Sequence, residues 1–197
     1  YYLQMVNYIA KFKGVTGRAA KSQNVTIDIN GSFSQWDSEK ISSVYRDYRN
    51  DTADRNSVDF AQNPITDSSG RNDIVNMKVA EDAENYYFYV DTADALSSPD
   101  GGSWMTLFIN ENIVVNRNVP VNGKTNVEKN TDGDFTKIGE SEIRYEDNKL
   151  MLKVSKALVD SADGFNFKWA DNYIENDVNS FYTKGDAAPY GRLCYCY

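Results

Sequence analysis

The chain has 197 residues, with 21 Lys and Arg against 29 Asp and Glu, so its formal net charge at pH 7 is −8. It contains no histidine, which excludes Ser-His and Cys-His catalytic pairs and imidazole-ligated zinc. The acidic balance argues against nucleic acid as a partner, because phosphate binding requires clustered Lys and Arg, and the sequence has no apolar run long enough to span a bilayer.

The amino-terminal segment has the pattern of an amphipathic helix. Apolar residues recur at helical spacing as far as Phe12. Residues 15–23 are small, basic and polar, as is typical of a linker. We therefore expect residues 1–14 to be the C-terminal helix of a preceding domain, residues 15–23 to be a linker, and residues 24–197 to form one domain.

From residue 24 onward the apolar pattern has a period of two, which is typical of β-strands. Residues 24–29 and 75–79 alternate, and residues 86–90 are apolar on both faces, as expected for a central strand that is covered on both sides. Further strands are predicted at 104–110, 124–129, 135–145, 149–154, 165–169 and 192–197. Short helices are predicted at 156–159 and 177–182, and a long edge loop at 46–72. This succession predicts an all-β fold, an antiparallel β-sandwich of jelly-roll type with a short N-terminal helix from the preceding domain.

Several short strings along residues 24–197 occur in the order in which one known family has them. They are I-N-G-S-F-S-Q-W-D at 29–37, W-M-T-L-F-I-N at 104–110, V-N-R at 115–117, F-N-F-K-W-A-D-N at 165–172, D-V-N-S-F-Y at 177–182 and G-D-A-A-P-Y-G-R-L at 185–193. In these strings the chain resembles the DOMON-like sandwich domains related to family 9 carbohydrate-binding modules, which are appended to bacterial glycoside hydrolases.

The resemblance implies a non-catalytic carbohydrate-binding accessory domain of a secreted bacterial glycoside hydrolase, which targets the enzyme to polysaccharide. It implies an oligo- or polysaccharide ligand, an N-terminal catalytic domain in the same chain, and a secreted, periplasmic or cell-surface location. No pair of carboxylates stands out as catalytic, so we expect no enzymatic activity. The alternative is a structural sandwich that packs on the catalytic domain without binding sugar. The short segment between Ile109 and the V-N-R string favours it, because members of the family usually carry a longer insertion there that supplies aromatic surface.

Sugar recognition combines aromatic rings, which stack on C–H faces, with polar side chains that hold hydroxyl groups. Trp169 is followed by Asp171 and Asn172, so a ring and two hydrogen-bonding side chains meet at the end of a strand. The alternative for Trp169 is a place in the core. Trp104 opens a strand after a Gly-rich loop and belongs either to the rim of a site or to the core.

Three further residues complete the predicted carbohydrate site. Arg117 is carried over from the V-N-R string as a donor to sugar hydroxyls, with a salt bridge as the alternative. Tyr87 and Tyr89 share one face of a strand and predict a flat aromatic platform, with cross-strand packing as the alternative. We expect Trp36, in contrast, to pack beneath the sandwich.

The resemblance also implies a structural Ca²⁺ ion, which domains of this group often carry. Asp171, Asp177 and Asp186, together with Asn172, offer the hard oxygen ligands that Ca²⁺ prefers. Their spacing does not match an EF-hand loop. Asp177 and Asp186 are the candidate metal ligands.

Overall fold

A computed structural model describes residues 22–52, 55–58, 61–99, 101–110, 112–159, 164–172, 185–189 and 193–197. The predicted helices at 1–14 and 177–182 and most of the predicted linker at 15–23 lie outside the described residues. Within the described part, no helix has the length and apolar character needed to cross a membrane.

The described residues confirm the predicted all-β fold. The described strands form one curved sheet of eleven strands and a separate two-stranded hairpin. Every pair of strands in the described part is antiparallel. The strands are β1 (Ser43–Arg46), β2 (Arg55–Val58), β3 (Pro64–Asp67), β4 (Ile74–Glu81), β5 (Asn85–Thr92), β6 (Thr106–Ile109), β7 (Ile113–Val115), β8 (Lys124–Thr131), β9 (Asp134–Glu146), β10 (Lys149–Ser155), β11 (Asn166–Asp171), β12 (Asp186–Ala188) and β13 (Tyr195–Cys196). Two 3₁₀ helices span Phe33–Asp37 and Lys156–Leu158.

The large sheet curves almost into a barrel. Its strand order is β1-β4-β5-β10-β9-β8-β7-β6-β11-β12, and β13 pairs with β11 beside β12. One edge is therefore β1 with the start of β4, and the other is formed by β12 and β13. We call the gap between these two edges the seam. This arrangement is compatible with the predicted sandwich, because one sheet folds over and its inner faces enclose a common core.

Side-chain hydrogen bonds, rather than a strand ladder, join the two edges across the seam. The Tyr45 hydroxyl donates to the carbonyl oxygen of Cys196 at 2.8 Å, and the Tyr195 hydroxyl donates to the carbonyl oxygen of Arg46 at 2.8 Å. At the other end, the backbone N–H of Ile74 donates to Oδ2 of Asp186 at 2.6 Å. The ring of Tyr45 also packs on the rings of Tyr195 and Phe167, with centroids 5.1 and 4.9 Å apart, so these hydrogen bonds and aromatic contacts hold the two edges together.

Strand β5 lies within the sheet and is buried on both faces, as its sequence predicts. Tyr86, Phe88 and Val90 point into the enclosed core, while Tyr87 and Tyr89 point outward. Both outward tyrosines are nevertheless buried, because the chain segment that precedes β1 lies over them. Because successive side chains of a strand point to opposite faces, β5 contributes to two cores. The inner core lies inside the curved sheet, and the smaller outer core lies between the sheet and the segment before β1.

One predicted strand, at residues 24–29, is wrong: the segment covers the outer core but does not pair as a strand. Residues 24–29 alternate in burial as expected, with Ile27 and Ile29 buried, but they form only an isolated bridge from Asn24 to Glu81. The Gln35 side chain accepts from the N–H of Asp28 at 2.9 Å and donates to its carbonyl oxygen at 2.8 Å. Because the side chain satisfies these backbone groups locally, the segment covers the sheet without extending it.

The predicted edge loop at 46–72 is also partly wrong, since it contains the hairpin of β2 and β3. Strands β7 and β12 were not predicted either. Each has three residues, which is too short for a period of two to stand out from its surroundings.

Candidate functional site

Both tryptophans of the predicted carbohydrate site lie inside the sheet. Trp169 is 0% exposed and Trp104 is 2% exposed, and both belong to the inner core. Trp36 is 1% exposed and packs beneath the sheet, where we expected it. In this structure no sugar can stack on any of the three indole rings, which matches the core alternative for Trp169 and Trp104.

The polar neighbours of Trp169 are held by protein groups. Asp171 is fully buried, and its carboxylate accepts from Arg71 at 2.8 and 3.2 Å and from the N–H of Met105 at 3.1 Å. The N–H of Asn172 donates to the carbonyl oxygen of Ser103 at 2.7 Å. Asp171 thus joins three separate segments and has no face open to a ligand.

Arg117 forms a nearly buried ion pair. Its Nε and Nη2 atoms donate to the two carboxylate oxygens of Glu128 at 2.7 and 2.8 Å. The guanidinium also lies 4.2 Å from the centroid of the Phe135 ring. This bidentate geometry matches the salt-bridge alternative for Arg117.

Tyr87 and Tyr89 do share one face, and their hydroxyl groups point to different acids. The Tyr87 hydroxyl donates to Asp82 at 2.5 Å, and the Tyr89 hydroxyl donates to Asp91 at 3.0 Å. Burial, followed by the adjacent carboxylate, raises the pKa of both phenols above the ordinary value. The Tyr89 ring packs against the rings of Trp36 and Phe33, with centroid-to-centroid distances of 5.4 and 6.3 Å.

Beside the rings of Phe33 and Tyr89, the protein surface has a depression of about 500 Å³. We call it the outer groove. The I-N-G-S-F-S-Q-W-D string forms one wall, and the hairpin between β9 and β10 forms the other. Its lining consists of residues 30–34, Asp37, Tyr89, Arg144, Glu146, Asp147 and Lys149.

Arg144 connects the two walls of the outer groove. Its Nη1 atom donates to the carbonyl oxygens of Asn30 at 2.6 Å and Gly31 at 2.9 Å. Its Nη2 atom donates to Glu146 at 2.8 Å, and the guanidinium lies 5.6 Å from the centroid of the Phe33 ring. Phe33 is half-buried, so one part of its ring packs on the protein and another part faces the groove.

Several other residues that line the outer groove are charged and accessible. The side chain of Asp37 is 79% exposed and accepts from Lys78 at 3.4 Å. The side chain of Glu146 is 58% exposed. The outer groove thus combines an aromatic ring with carboxylates and cationic donors, the mixture that binds polyhydroxylated ligands.

A second group of polar side chains lies at the seam. Oxygens of Asp51, Asp73 and Asp186 all lie within 4.8 Å of one another. Asp73 and Asp186 are buried, and Asp51 is half-buried. Of the predicted metal ligands, Asp186 belongs to this group, Asp171 is held by Arg71, and Asp177 lies outside the described residues.

Electrostatics at the seam reflect this crowding of carboxylates. Burial raises the pKa of Asp186 to about 8, and the negative charges of Asp51 and Asp47 add to the effect, while N–H donors oppose it. Burial also raises the pKa of Asp47. Lys168, which lies near both acids, has its pKa lowered by burial to about 8.

Sequence reasoning missed most of the groove and most of the acidic group. Phe33 lies in a string that we singled out, but its partners on β9 and β10 follow more than a hundred residues later. Asp51 lies within the stretch 46–72 that we predicted to be an edge loop, and Asp73 directly follows it. A period-two pattern tells which side a residue faces, but not which distant strand lies beside it.

Comparison with known proteins finds no family model, no curated protein and no solved structure that matches the chain.

Proposed function

We propose that this chain is a non-catalytic carbohydrate-binding domain that takes oligo- or polysaccharide in the outer groove. Within a larger secreted bacterial enzyme, such a domain would hold a glycoside hydrolase domain of the same chain on its substrate. The observation that carries the proposal is the exposed part of the Phe33 ring beside Arg144 and the accessible acids of the groove.

The chemistry of the groove supports a neutral, hydroxyl-rich ligand. A sugar ring presents C–H groups to an aromatic face and hydroxyls at its rim. Asp37 and Glu146 are acceptors for these hydroxyls, and Lys149 and Arg144 are donors. Because the groove carries both signs of charge, it does not favour a strongly anionic or cationic ligand.

The second candidate function is a structural domain that packs on its catalytic neighbour. The burial of all three tryptophans favours it, because the largest aromatic rings of the chain stabilise the domain itself. If this candidate is correct, removing residues 24–197 from the full protein lowers the melting temperature of the catalytic domain. The binding measurement below separates the two candidates.

The test is affinity electrophoresis followed by isothermal titration calorimetry of the chain against a panel of xylans, glucans, mannans and their oligosaccharides. We expect binding to at least one member. Phe33→Ala should weaken that binding about five- to thirty-fold, since a stacked ring contributes on the order of 1–2 kcal/mol.

Phe135→Ala is the matched control, because Phe135 is also a partly buried aromatic residue on the outer surface but lies away from the outer groove. It should leave the affinity unchanged. Circular dichroism confirms that both variants fold. The proposal fails if the folded chain binds no member of the panel, or if the two variants lose affinity equally.

A further inference from the structure

A second depression lies on the same outward face of the sheet as the outer groove. It has a volume of about 440 Å³, and its lining includes the loop at residues 118–122 and the side chains of Lys124, Asn126 and Glu140 on β8 and β9. We call it the second groove. Because Ser141 is buried, its neighbours on β9 point outward, and Glu140 therefore faces the same side as the outer groove.

The second groove offers side-chain amides that no protein group occupies. Asn122 is exposed and Asn126 is half-buried, and neither side chain forms a hydrogen bond with another described residue. An amide carries both donors and an acceptor, so it can bind a hydroxyl group in either direction. Val119 and Val121, which are 45% and 64% exposed, add apolar surface for C–H groups. The lining therefore suits a hydroxyl-rich ligand.

A tight turn fixes one wall of the second groove. The N–H of Val121 donates to the carbonyl oxygen of Lys124 at 2.8 Å, and the N–H of Lys124 donates to the carbonyl oxygen of Val121 at 3.0 Å. Asn122 and Gly123, between them, have φ values of 51° and 73°, as a two-residue type I′ turn requires. The turn holds Val121 and Asn122 in place before a ligand arrives, which lowers the entropic cost of binding.

Strand β9 connects the two grooves. Arg144 lines the outer groove and Glu140 lines the second groove. They lie four residues apart on one face of the strand, which corresponds to roughly 13 Å, and the pairing with β8 and β10 is regular over this stretch. Between them, Glu142 accepts from Lys153 at 2.8 Å, with side chains 43% and 32% exposed. The surface that joins the grooves is therefore polar and accessible.

The charges along this surface balance one another. Three ion pairs follow each other from the outer groove to the second groove: Arg144 with Glu146 at 2.8 Å, Lys153 with Glu142 at 2.8 Å, and Lys124 with Glu140 at 3.5 Å. They present donors and acceptors along the whole path without a net charge. Such a surface favours a neutral chain over a polyanion or a polycation.

We propose that the ligand of the outer groove is an internal stretch of a neutral polysaccharide, which continues along β9 into the second groove. This inference rests on the proposed function and adds to it the length of chain that the domain recognises. A short oligosaccharide fills the outer groove alone. Only a longer one also reaches Asn122 and Asn126.

The test is isothermal titration calorimetry with cello-, xylo- and manno-oligosaccharides, each from the disaccharide to the hexasaccharide. Within a series that binds, we expect the hexasaccharide to bind about tenfold or more tightly than the disaccharide, because it gains the contacts of the second groove. Asn126→Ala should weaken hexasaccharide binding about two- to tenfold and leave disaccharide binding unchanged. Asn122→Gly gives the same test in a second variant, since glycine keeps the positive φ of the turn.

The control is Asn56→Ala, which removes an amide from an exposed position of the separate hairpin and should leave the affinity for both ligands unaltered. Phe33→Ala should weaken both, because both occupy the outer groove. The inference is overturned, while the proposed function stands, if the disaccharide binds as tightly as the hexasaccharide, or if Asn126→Ala and Asn122→Gly both bind the hexasaccharide like the parent chain. If the folded chain binds no oligosaccharide of any series, both are overturned.

Discussion

Asp82, in the turn between β4 and β5, offers a quantitative test of the electrostatics of this fold. Its carboxylate accepts from the Tyr87 hydroxyl at 2.5 Å, from the N–H groups of Glu84 and Asn85 at 2.9 and 2.8 Å, and from the Thr26 hydroxyl at 3.1 Å. Partial burial acts to raise the pKa of Asp82, but these hydrogen bonds, led by that of Tyr87, outweigh it. They lower the pKa from 3.8 to about 2.

The size of the effect follows from this pKa difference. A change from 3.8 to about 2 corresponds to about 2 kcal/mol of preference for the ionised form in the folded state. Because water reaches the carboxylate, we expect about 1–2 kcal/mol in a measurement. The folded-state pKa is the lower one, so the stabilisation is complete above about pH 5 and is lost as the pH falls from about 4 towards 2.

Asp82→Asn should therefore lower the free energy of unfolding at pH 7 by about 1–2 kcal/mol, and its difference from the parent chain should shrink below pH 4. Urea denaturation at pH 7, 4, 3 and 2.5 measures both quantities. Glu84→Gln, an exposed acid in the same turn, is the control and should have little effect at any of these pH values. A difference for Asp82→Asn that stays constant with pH, or that Glu84→Gln reproduces, would refute the reasoning.

Three further substitutions probe packing and the buried ion pair. Trp36→Ala removes a ring that is 1% exposed and should cost about 3–5 kcal/mol of unfolding free energy by urea denaturation. Glu128→Gln removes the carboxylate charge that two nitrogens of Arg117 contact in a nearly buried site, so we expect a loss of about 1–3 kcal/mol, which a repeat at 1 M NaCl should barely change. Gly185→Ala would place a Cβ atom on the carbonyl group of Asp171, and we expect this variant to melt well below the parent chain in differential scanning fluorimetry; a melting temperature within 1 °C of the parent would contradict the close approach.

The sequence predicts the fold class because strands with a buried face must alternate. The run from Tyr86 to Val90 shows this best, since its apolar residues on both faces identify a strand covered on both sides, and β5 is such a strand. Residues 24–29 show the limit of the same pattern. They alternate in burial as a strand would, but whether a segment pairs depends on what its backbone meets in space.

The candidate sites were harder to predict for a related physical reason. A tryptophan next to acids at the end of a strand has the composition of a binding site, but Trp169 and Asp171 lie in the interior, where the acid meets Arg71 from a distant turn. Residue type indicates which contacts a side chain can make. Only the curvature of the sheet decides which side chains meet, and it brings Asp51 and Asp73 beside Asp186.

The way the curved sheet closes has a consequence for how the domain responds to its surroundings. Elsewhere in the sheet, neighbouring strands are joined by repeated amide-to-carbonyl bonds, whose strength varies little with pH or dissolved ions. Between Ile74 and Asp186, by contrast, the acceptor is a carboxyl group, and the hydrogen bond is stronger when that group is ionised. Acidity can therefore tighten or loosen this one junction while the other strand pairs keep their strength. Where the surroundings vary in acidity, the resistance of the domain to unfolding would change with pH partly through this junction.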